Sequence, residues 1–141
     1  MMKKDSPEIL MLEHDDDDRY VTQTLFSENR FNAQFTFVNS SDDLLAYLHE
    51  KKTKNSYPSM ILLDQMSSPL SAIEVLQEIK SDKLCRHIPV VVLGGVANKE
   101  LIKECYAAGA SSFIIKPDTH EETERKISDF IHYWFETVEL I

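Results

Sequence analysis

Five short apolar runs, rich in β-branched residues, alternate along this sequence with segments whose apolar residues recur at helical spacing. The runs are Ile9 to Leu12, Phe35 to Val38, Met60 to Leu63, Val90 to Leu93 and Phe113 to Ile115. Parallel strands need long crossover connections, so repeated strand and helix units of this kind favour a parallel sheet covered by helices on both faces. The pattern therefore predicts an α/β domain with a doubly wound, five-stranded parallel sheet.

Length, charge and cysteine usage limit the architecture and the partners. The 141 residues predict one domain over 1–141, with a core from about residue 8 to residue 138. No apolar run approaches the ~20 residues of a membrane span, and the run that follows the basic start is too short for a signal peptide. The net charge of −9 argues against nucleic-acid binding. Isolated Cys85 and Cys105, predicted as buried thiols, suit a reducing cytoplasm, and we expect protein partners.

Apolar spacing and helix-terminal residues locate the helices. In the first helix we expect Val21, Leu25 and Phe26 to face inward, behind a solvated acidic start at Asp16 to Asp18. Gly109 is expected to end the fourth helix. The last helix carries an apolar stripe, which predicts packing against the sheet. The stripe consists of Ile127, Phe130, Ile131, Trp134, Phe135 and Val138.

Residues with chemical potential follow four of the five predicted strands. They are Glu13, His14 and Asp15 after the first strand, Asp64 at the end of the third, Gly94 and Gly95 at the end of the fourth, and Lys116 after the fifth. In open parallel α/β sheets, ligands bind beyond the carboxyl ends of the strands, so these residues are expected to converge. Acids that face one lysine suggest a cation site.

These motifs resemble the receiver domain of bacterial two-component response regulators, over nearly the whole chain from Ile9 to the final helix. The resemblance rests on the acids after strand one, the Asp64 that ends an apolar strand, the turn Ala108-Gly109-Ala110 and the pair Lys116-Pro117. It implies the flavodoxin-like receiver fold, with strand order 2-1-3-4-5. It also implies that Asp64 is the phosphoacceptor, that Lys116 pairs with the carboxylate and the phosphoryl group, and that Mg²⁺ is held by Glu13, His14 and Asp64.

Several positions depart from the family pattern. His14 replaces the second acid of the strand-one pair, and Mg²⁺ uses imidazole poorly, so Mg²⁺ binding is expected to be weak, with Asp15 as a candidate substitute ligand. Gly94 stands at a switch position where the family has Ser or Thr. Phe113, at the aromatic switch position, has no hydroxyl. Any coupling between these two positions would therefore act through packing.

The resemblance implies a stand-alone regulator in a phosphorelay. It would receive a phosphoryl group on Asp64 from a histidine kinase or a phosphotransfer protein, and signal to a downstream protein through the region of strands four and five. It would not be an enzyme beyond self-phosphorylation and slow autodephosphorylation. The departures at His14 and Gly94 leave open a phosphorylation-independent pseudo-receiver that acts as a protein-interaction adaptor.

The residues also allow two other interpretations to be compared with this one. An Asp64 to Lys116 ion pair of purely structural importance remains open. A flavin carrier or a small hydrolase on the same architecture is disfavoured, because the loop after strand one is acidic and no glycine-rich phosphate loop is present. A hydrolase of the aspartyl-phosphate type would also want a second acid two residues after Asp64, where this chain has Met66.

Overall fold

The chain folds around one five-stranded parallel sheet in the order 2-1-3-4-5, which confirms the predicted fold class. The computed structural model describes residues 6–96 and 98–141, so the basic start at residues 1–5 lies outside the described part. The strands are β1 (Glu8–Leu12), β2 (Gln34–Val38), β3 (Met60–Asp64), β4 (Val90–Gly94) and β5 (Ser112–Ile115). The α-helices are α1 (Asp16–Glu28), α2 (Ser41–Thr53), α3 (Ala72–Ser81), α4 (Lys99–Ala107) and α5 (His120–Ile131).

The register of the sheet brings the strand ends into line. Leu12 pairs with Val38 on one side and Leu63 on the other. On the far side of β3, Asp64 pairs with Leu93, and Gly94 in turn pairs with Ile115. Because all strands run in the same direction, the residues just after β1, β3, β4 and β5 lie at one edge.

Alternate residues of each strand face two separate cores. Leu10, Leu12, Ile61 and Leu63 face a mainly aliphatic cluster built with α2, α3 and α4. The intervening residues face the second cluster, which contains α1, α5 and most of the phenylalanines. β1 and β3 are thus buried on both faces, as their continuous apolar sequences predicted. Cys85 and Cys105 are free and buried, which confirms their prediction as buried thiols.

The helix ends agree with the sequence in part. Gly109, with a φ of 111°, follows the end of α4 as predicted, in a left-handed conformation that favours glycine. The capping residue of α1 is Asp15, which precedes the predicted acidic start. Val21 is exposed, so its predicted inward orientation is wrong. It lies at the mouth of a cavity of about 170 Å³ between α1 and α5.

The apolar stripe of the last helix packs against the sheet with an unexpected change of backbone. Ile131 is buried in the second core cluster, and the partly buried side chains that pack against this cluster include Ile127, Phe130, Trp134 and Phe135. After Ile131 the chain continues as a π-helical turn over His132–Thr137. The regular spacing of the stripe did not indicate this wider turn.

Candidate functional site

Four side chains from three strand ends meet at the carboxyl edge of the sheet, and we call this group the acceptor pocket. It consists of Glu13, His14, Asp64 and Lys116. Nζ of Lys116 lies 2.8 Å from Oε2 of Glu13 and 3.6 Å from Oδ2 of Asp64. His14 Nδ1 lies 3.5 Å from the same Asp64 oxygen. The convergence expected from the strand ends is therefore present.

Glu13 is fully buried although it carries a carboxylate, with 0% of its surface exposed. Burial raises the pKa of Glu13, and the neighbouring charge of Asp64 raises it further, while the hydrogen bond and charge of Lys116 act in the opposite direction. Oε1 of Glu13 accepts a hydrogen bond from the backbone N–H of Asp15, at 3.2 Å. Lys116 and the backbone N–H of Asp15 thus offset only part of the cost of burying this carboxylate.

Lys116 is the cation of the acceptor pocket. Burial opposes its charged form, but the hydrogen bond to Glu13 and the charges of Asp64, Glu13 and Asp18 outweigh burial and raise the pKa of Lys116. Asp18 Oδ2 lies 3.5 Å from the ammonium. Asp18 is exposed, as expected of a solvated helix start, but it also pairs with Lys116, which the sequence did not indicate. The capping of α1 by Asp15 puts Asp18 in the first helical turn, close to Lys116.

The two oxygens of Asp64 have different surroundings. Oδ1 accepts a hydrogen bond from the backbone N–H of Met66, at 3.0 Å. Oδ2 is buried and, within 6–96 and 98–141, has no hydrogen-bond partner. Buried polar atoms are rarely left without a partner, so the Oδ2 atom marks a position where a ligand atom would be accommodated.

Arg19 supports the backbone beneath the acceptor pocket. Its guanidinium donates to the carbonyl oxygens of Glu13 and Val38 and to the side chain of Asn39. These bonds join the residues that follow β1 and β2, and hold the backbone of Glu13 in place. The spacing of residues along the sequence does not indicate this role of Arg19.

A divalent cation is the cofactor that the family resemblance implies. Glu13, His14 and Asp64 each offer one ligand atom, and these atoms lie within 4.8 Å of one another. The two carboxylates fit a hard divalent ion, whereas the imidazole fits Mg²⁺ poorly. Asp15, the candidate substitute ligand, instead uses its carboxylate to cap α1 by accepting from the N–H of Asp18.

The fourth strand end is filled by side chains, and we call it the aromatic corner. It consists of Gly94, Phe113, Gln65 and Tyr106. A Cβ atom on Gly94 would lie 2.7 Å from Cε1 of Phe113, closer still to its Cζ, and 2.6 Å from Oε1 of Gln65. The hydroxyl of Tyr106 accepts from the backbone N–H of Phe113, at 3.2 Å.

The aromatic corner therefore has no space for a Ser or Thr side chain at position 94 in this conformation. The absence of a side chain at Gly94 allows the Phe113 ring and the Gln65 amide to occupy that space. The sequence identified Gly94 and Phe113 as switch positions, but gave no signal for Gln65 or Tyr106. The roles of Gly94 and Phe113 as switch residues remain predictions.

Comparison with known proteins agrees with this architecture. A family profile described as "Response regulator receiver domain" matches residues 9–128. The probable methanogenesis regulatory protein FilR2 of Methanothrix harundinacea is 29% identical over 128 residues, which cover 89% of this chain and 82% of that protein.

Two solved structures are similar over almost the whole chain. The phosphorylated cyanobacterial phytochrome response regulator RcpA has a TM-score of 0.87 and 26% identity, covering 96% of this chain and 99% of that chain. The Mn²⁺-bound form of the response regulator Rcp1 has a TM-score of 0.85 and 25% identity, with the same coverage of 96% and 99%. Together with the family match and the architecture, these similarities show that the chain belongs to the response regulator receiver-domain family and is a module of phosphorelay signalling.

Proposed function

We propose that this receiver domain accepts a phosphoryl group on Asp64 from the phosphohistidine of a kinase or a phosphotransfer protein. The phosphorylated domain would then signal through protein contacts. The observation that carries this proposal is the Oδ2 atom of Asp64, which is buried and lies 3.6 Å from the Lys116 ammonium. Because Oδ1 is already bound to the backbone of Met66, Oδ2 is the oxygen available for attack.

The chemistry is a transfer of one phosphoryl group between two nucleophiles. Oδ2 of Asp64 forms a bond to phosphorus as the bond from phosphorus to the donor's imidazole nitrogen breaks, and the imidazole keeps the electron pair and takes up a proton. Lys116 can move from Glu13 toward a phosphoryl oxygen, since its ammonium lies within 3.6 Å of both carboxylates. A divalent cation bound by Glu13 and Asp64 would supply the remaining positive charge.

Two similar structures support the proposal from outside the chain. RcpA was solved in a phosphorylated form, and Rcp1 in a form with bound Mn²⁺. Both are 25% identical or more and cover nearly all of this chain. We infer by analogy that the acceptor pocket here takes a phosphoryl group together with a divalent ion.

The output surface that we propose is the exposed side of β5 and α5. Phe113, Ile115, Tyr133 and Trp134 line a shallow groove there, and Phe113 also belongs to the aromatic corner. Exposed aromatic residues are typical of protein contacts, and the net charge of −9 disfavours nucleic acid as a partner. No described helix, within 6–96 and 98–141, has the length and apolar character needed to cross a bilayer. We place the exchange in the cytoplasm, which is consistent with the two free thiols.

Acetyl phosphate provides a direct test. Purified protein is incubated with this donor in Mg²⁺ and, separately, in Mn²⁺, and the intact mass is measured. We expect the addition of one phosphoryl group in at least one of the two metals, and none in the Asp64→Asn variant. Asp16→Asn, which removes an exposed acid at the start of α1, is the matched control and should be phosphorylated like the natural sequence.

No mass increase in either metal, in a protein shown to be folded, would overturn phosphorylation on Asp64. The module would then be an adaptor that signals without phosphorylation, the alternative to which Gly94 and His14 point. Equal phosphorylation of the natural sequence and of Asp64→Asn would move the acceptor to another residue.

A further inference from the structure

The acceptor pocket contains a nitrogen ligand among its oxygen ligands. His14 Nδ1 lies 3.5 Å from Oδ2 of Asp64 and 3.9 Å from Oε1 of Glu13. The two carboxylates are buried, whereas 61% of the His14 side chain is exposed. The imidazole therefore lies on the solvent side of the two acids, over the same small space.

Two further observations indicate that this space accommodates a cation. Asp64 as a residue is 3% exposed, and its Oδ2 atom lacks a hydrogen-bond partner within the described ranges. Among the described residues, two buried carboxylates also share the ammonium of Lys116, so these three groups together have an excess of negative charge. A cation between Glu13, His14 and Asp64 would contact one lone pair of the unpartnered oxygen and offset this charge, while the second lone pair of that oxygen stays available for attack on phosphorus.

The spacing of the ligand atoms suits a transition metal. In a tetrahedral zinc site with bonds of about 2.0–2.1 Å, two ligand atoms lie roughly 3.4 Å apart. The separation of 3.5 Å between His14 Nδ1 and Asp64 Oδ2 is close to this value, and the 3.9 Å to Glu13 requires only a small movement. Mg²⁺, in contrast, requires octahedral oxygen ligands and rarely exchanges water for imidazole.

We propose that Glu13, His14 and Asp64 form a binding site selective for first-row transition-metal ions, with Zn²⁺ and Co²⁺ bound more tightly than Mn²⁺, and Mn²⁺ more tightly than Mg²⁺. The order follows from the softness of the imidazole and the general order of divalent-metal affinities. The proposal deepens the proposed function, because the selected ion would lie beside the acceptor oxygen of Asp64. His14 is then the residue that determines which metal supports phosphorylation.

The test is metal binding by the full chain in the absence of any phosphoryl donor. Calorimetric titrations with ZnCl₂, CoCl₂, MnCl₂ and MgCl₂ give the four affinities. We expect Zn²⁺ to bind at least about 100-fold more tightly than Mg²⁺, as imidazole-containing sites do. Co²⁺ should produce the visible absorption of a nitrogen-ligated ion, and its paramagnetic broadening should be centred on the residues after β1 and β3.

The substitution His14→Asp supplies the sharpest comparison, because it restores an oxygen ligand at the same position. It should weaken Zn²⁺ binding and strengthen Mg²⁺ binding, each by about tenfold or more. His14→Ala should weaken transition-metal binding without improving Mg²⁺ binding. The matched control is His132→Ala, which removes an exposed histidine that also has a carboxylate neighbour, Glu136; it should leave the site's affinities unchanged.

Two results would overturn the inference: equal affinities for Mg²⁺ and Zn²⁺ in the natural sequence, or Zn²⁺ affinity at this site that is unchanged by His14→Ala. These results are separable from the test of phosphorylation. A protein that is phosphorylated on Asp64 but shows no metal preference would retain the proposed function and lose only the role of His14. A protein that binds Zn²⁺ through His14 but is never phosphorylated would retain the metal site and lose the proposed function.

Discussion

The acceptor pocket and the aromatic corner lie side by side on the same edge of the sheet, yet they satisfy their residues in different ways. In the acceptor pocket, two buried acids share the ammonium of Lys116, and one carboxylate oxygen has no hydrogen-bond partner in the described part of the chain. In the aromatic corner, the space beside Gly94 is taken by a phenylalanine ring and an amide. The acceptor pocket thus contains a buried oxygen without a described partner, whereas the aromatic corner has no space for a further side chain beside Gly94.

This difference separates the two tasks of a receiver domain. The acceptor pocket has the free oxygen and the cation that an incoming phosphoryl group requires. Under the proposed function, the aromatic corner would have no hydroxyl at position 94, so any displacement of Phe113 would act through packing alone. Phosphoryl binding and the proposed response would then depend on different residues, and substitutions could alter them one at a time.

The largest effect is expected when the shared cation of the acceptor pocket is removed. Lys116→Met keeps most of the apolar stem but leaves Glu13 and Asp64 without their ammonium. Breaking a buried pair on one side is costly, and since 31% of the Lys116 side chain is exposed, we expect a loss of about 2–3 kcal/mol in unfolding free energy at neutral pH. Urea denaturation measures this loss.

Lys54→Met is the control for that substitution, because Lys54 pairs with Glu50 on the exposed surface of α2. Its cost should be far smaller than that of Lys116→Met, because both partners of this pair are exposed to solvent. The cost of Lys116→Met should also shrink as the pH is lowered and Glu13, whose pKa is raised by burial, becomes protonated. Equal, small costs for both lysines would show that the charges of the acceptor pocket are not effectively buried.

An intermediate effect is expected when a side chain is forced into the aromatic corner. Gly94→Ser places a Cβ atom 2.6 Å from the Gln65 amide oxygen and against the Phe113 ring. We expect the ring to turn outward, with a loss of about 1–2 kcal/mol of unfolding free energy. The change of ring environment can be followed by the NMR signals of Phe113.

Gly95→Ser is a closely matched control, since a Cβ atom at Gly95 meets no atom of the described residues within 4 Å, and it should cost under about 0.5 kcal/mol. Adding Phe113→Ala to Gly94→Ser should recover part of the loss, because the two substitutions act on the same contact. If Gly94→Ser costs no more than Gly95→Ser and Phe113 keeps its position, the aromatic corner is looser than its contacts indicate.

The smallest effect concerns the pH dependence of the acceptor pocket. Burial raises the pKa of Glu13 above its ordinary value of 4.5, so between that value and the raised value the folded protein binds more protons than the unfolded chain. The stability contributed by protonated Glu13 is present below pH 4.5 and is lost as the pH rises through the folded-state pKa. We therefore expect the stability of the natural sequence, relative to Glu13→Gln, to fall as the pH rises toward neutrality.

Glu50→Gln provides a control of opposite sign for this measurement. The hydrogen bond and charge of Lys54 lower the pKa of Glu50, so its contribution to stability is present above the ordinary pKa and is lost in acid. Urea unfolding from about pH 4 to 8 should thus give slopes of opposite direction for the two variants. If the unfolding free energy of the natural sequence relative to Glu13→Gln stayed constant or rose with increasing pH, burial of the Glu13 carboxylate would not be unfavourable.

The fold and the acceptor pocket were largely predictable from the sequence. Continuous apolar strands require a sheet covered on both faces, and the carboxyl ends of parallel strands meet at one edge. Glu13, Asp64 and Lys116 are therefore placed together by their positions after β1, β3 and β5, without knowledge of any side-chain conformation. The family match and the sheet order agree with this prediction.

The aromatic corner was predictable only in outline. Gly94 and Phe113 were identified, but which side chains occupy the space beside a glycine depends on rotamers and on residues distant in the chain. The amide of Gln65 occupies that space, and the hydroxyl of Tyr106 accepts from the backbone N–H of Phe113, without a sequence pattern that would indicate either contact. The orientation of Val21 was predicted wrongly for a similar reason, since helical spacing does not reveal the cavity between α1 and α5.

The π-helical turn at His132–Thr137 changes the directions in which the side chains at the end of the chain point. The N–H of Val138 donates to the carbonyl of Tyr133, one residue farther back than an α-helix would allow. This surplus residue rotates the end of the helix, so that Phe135 stacks near Phe31 with ring centroids 4.5 Å apart while Tyr133 is left exposed. Deleting one residue from this turn would restore the hydrogen-bond spacing of an α-helix. The terminal aromatic side chains would then be rotated, and a different set of them would face outward.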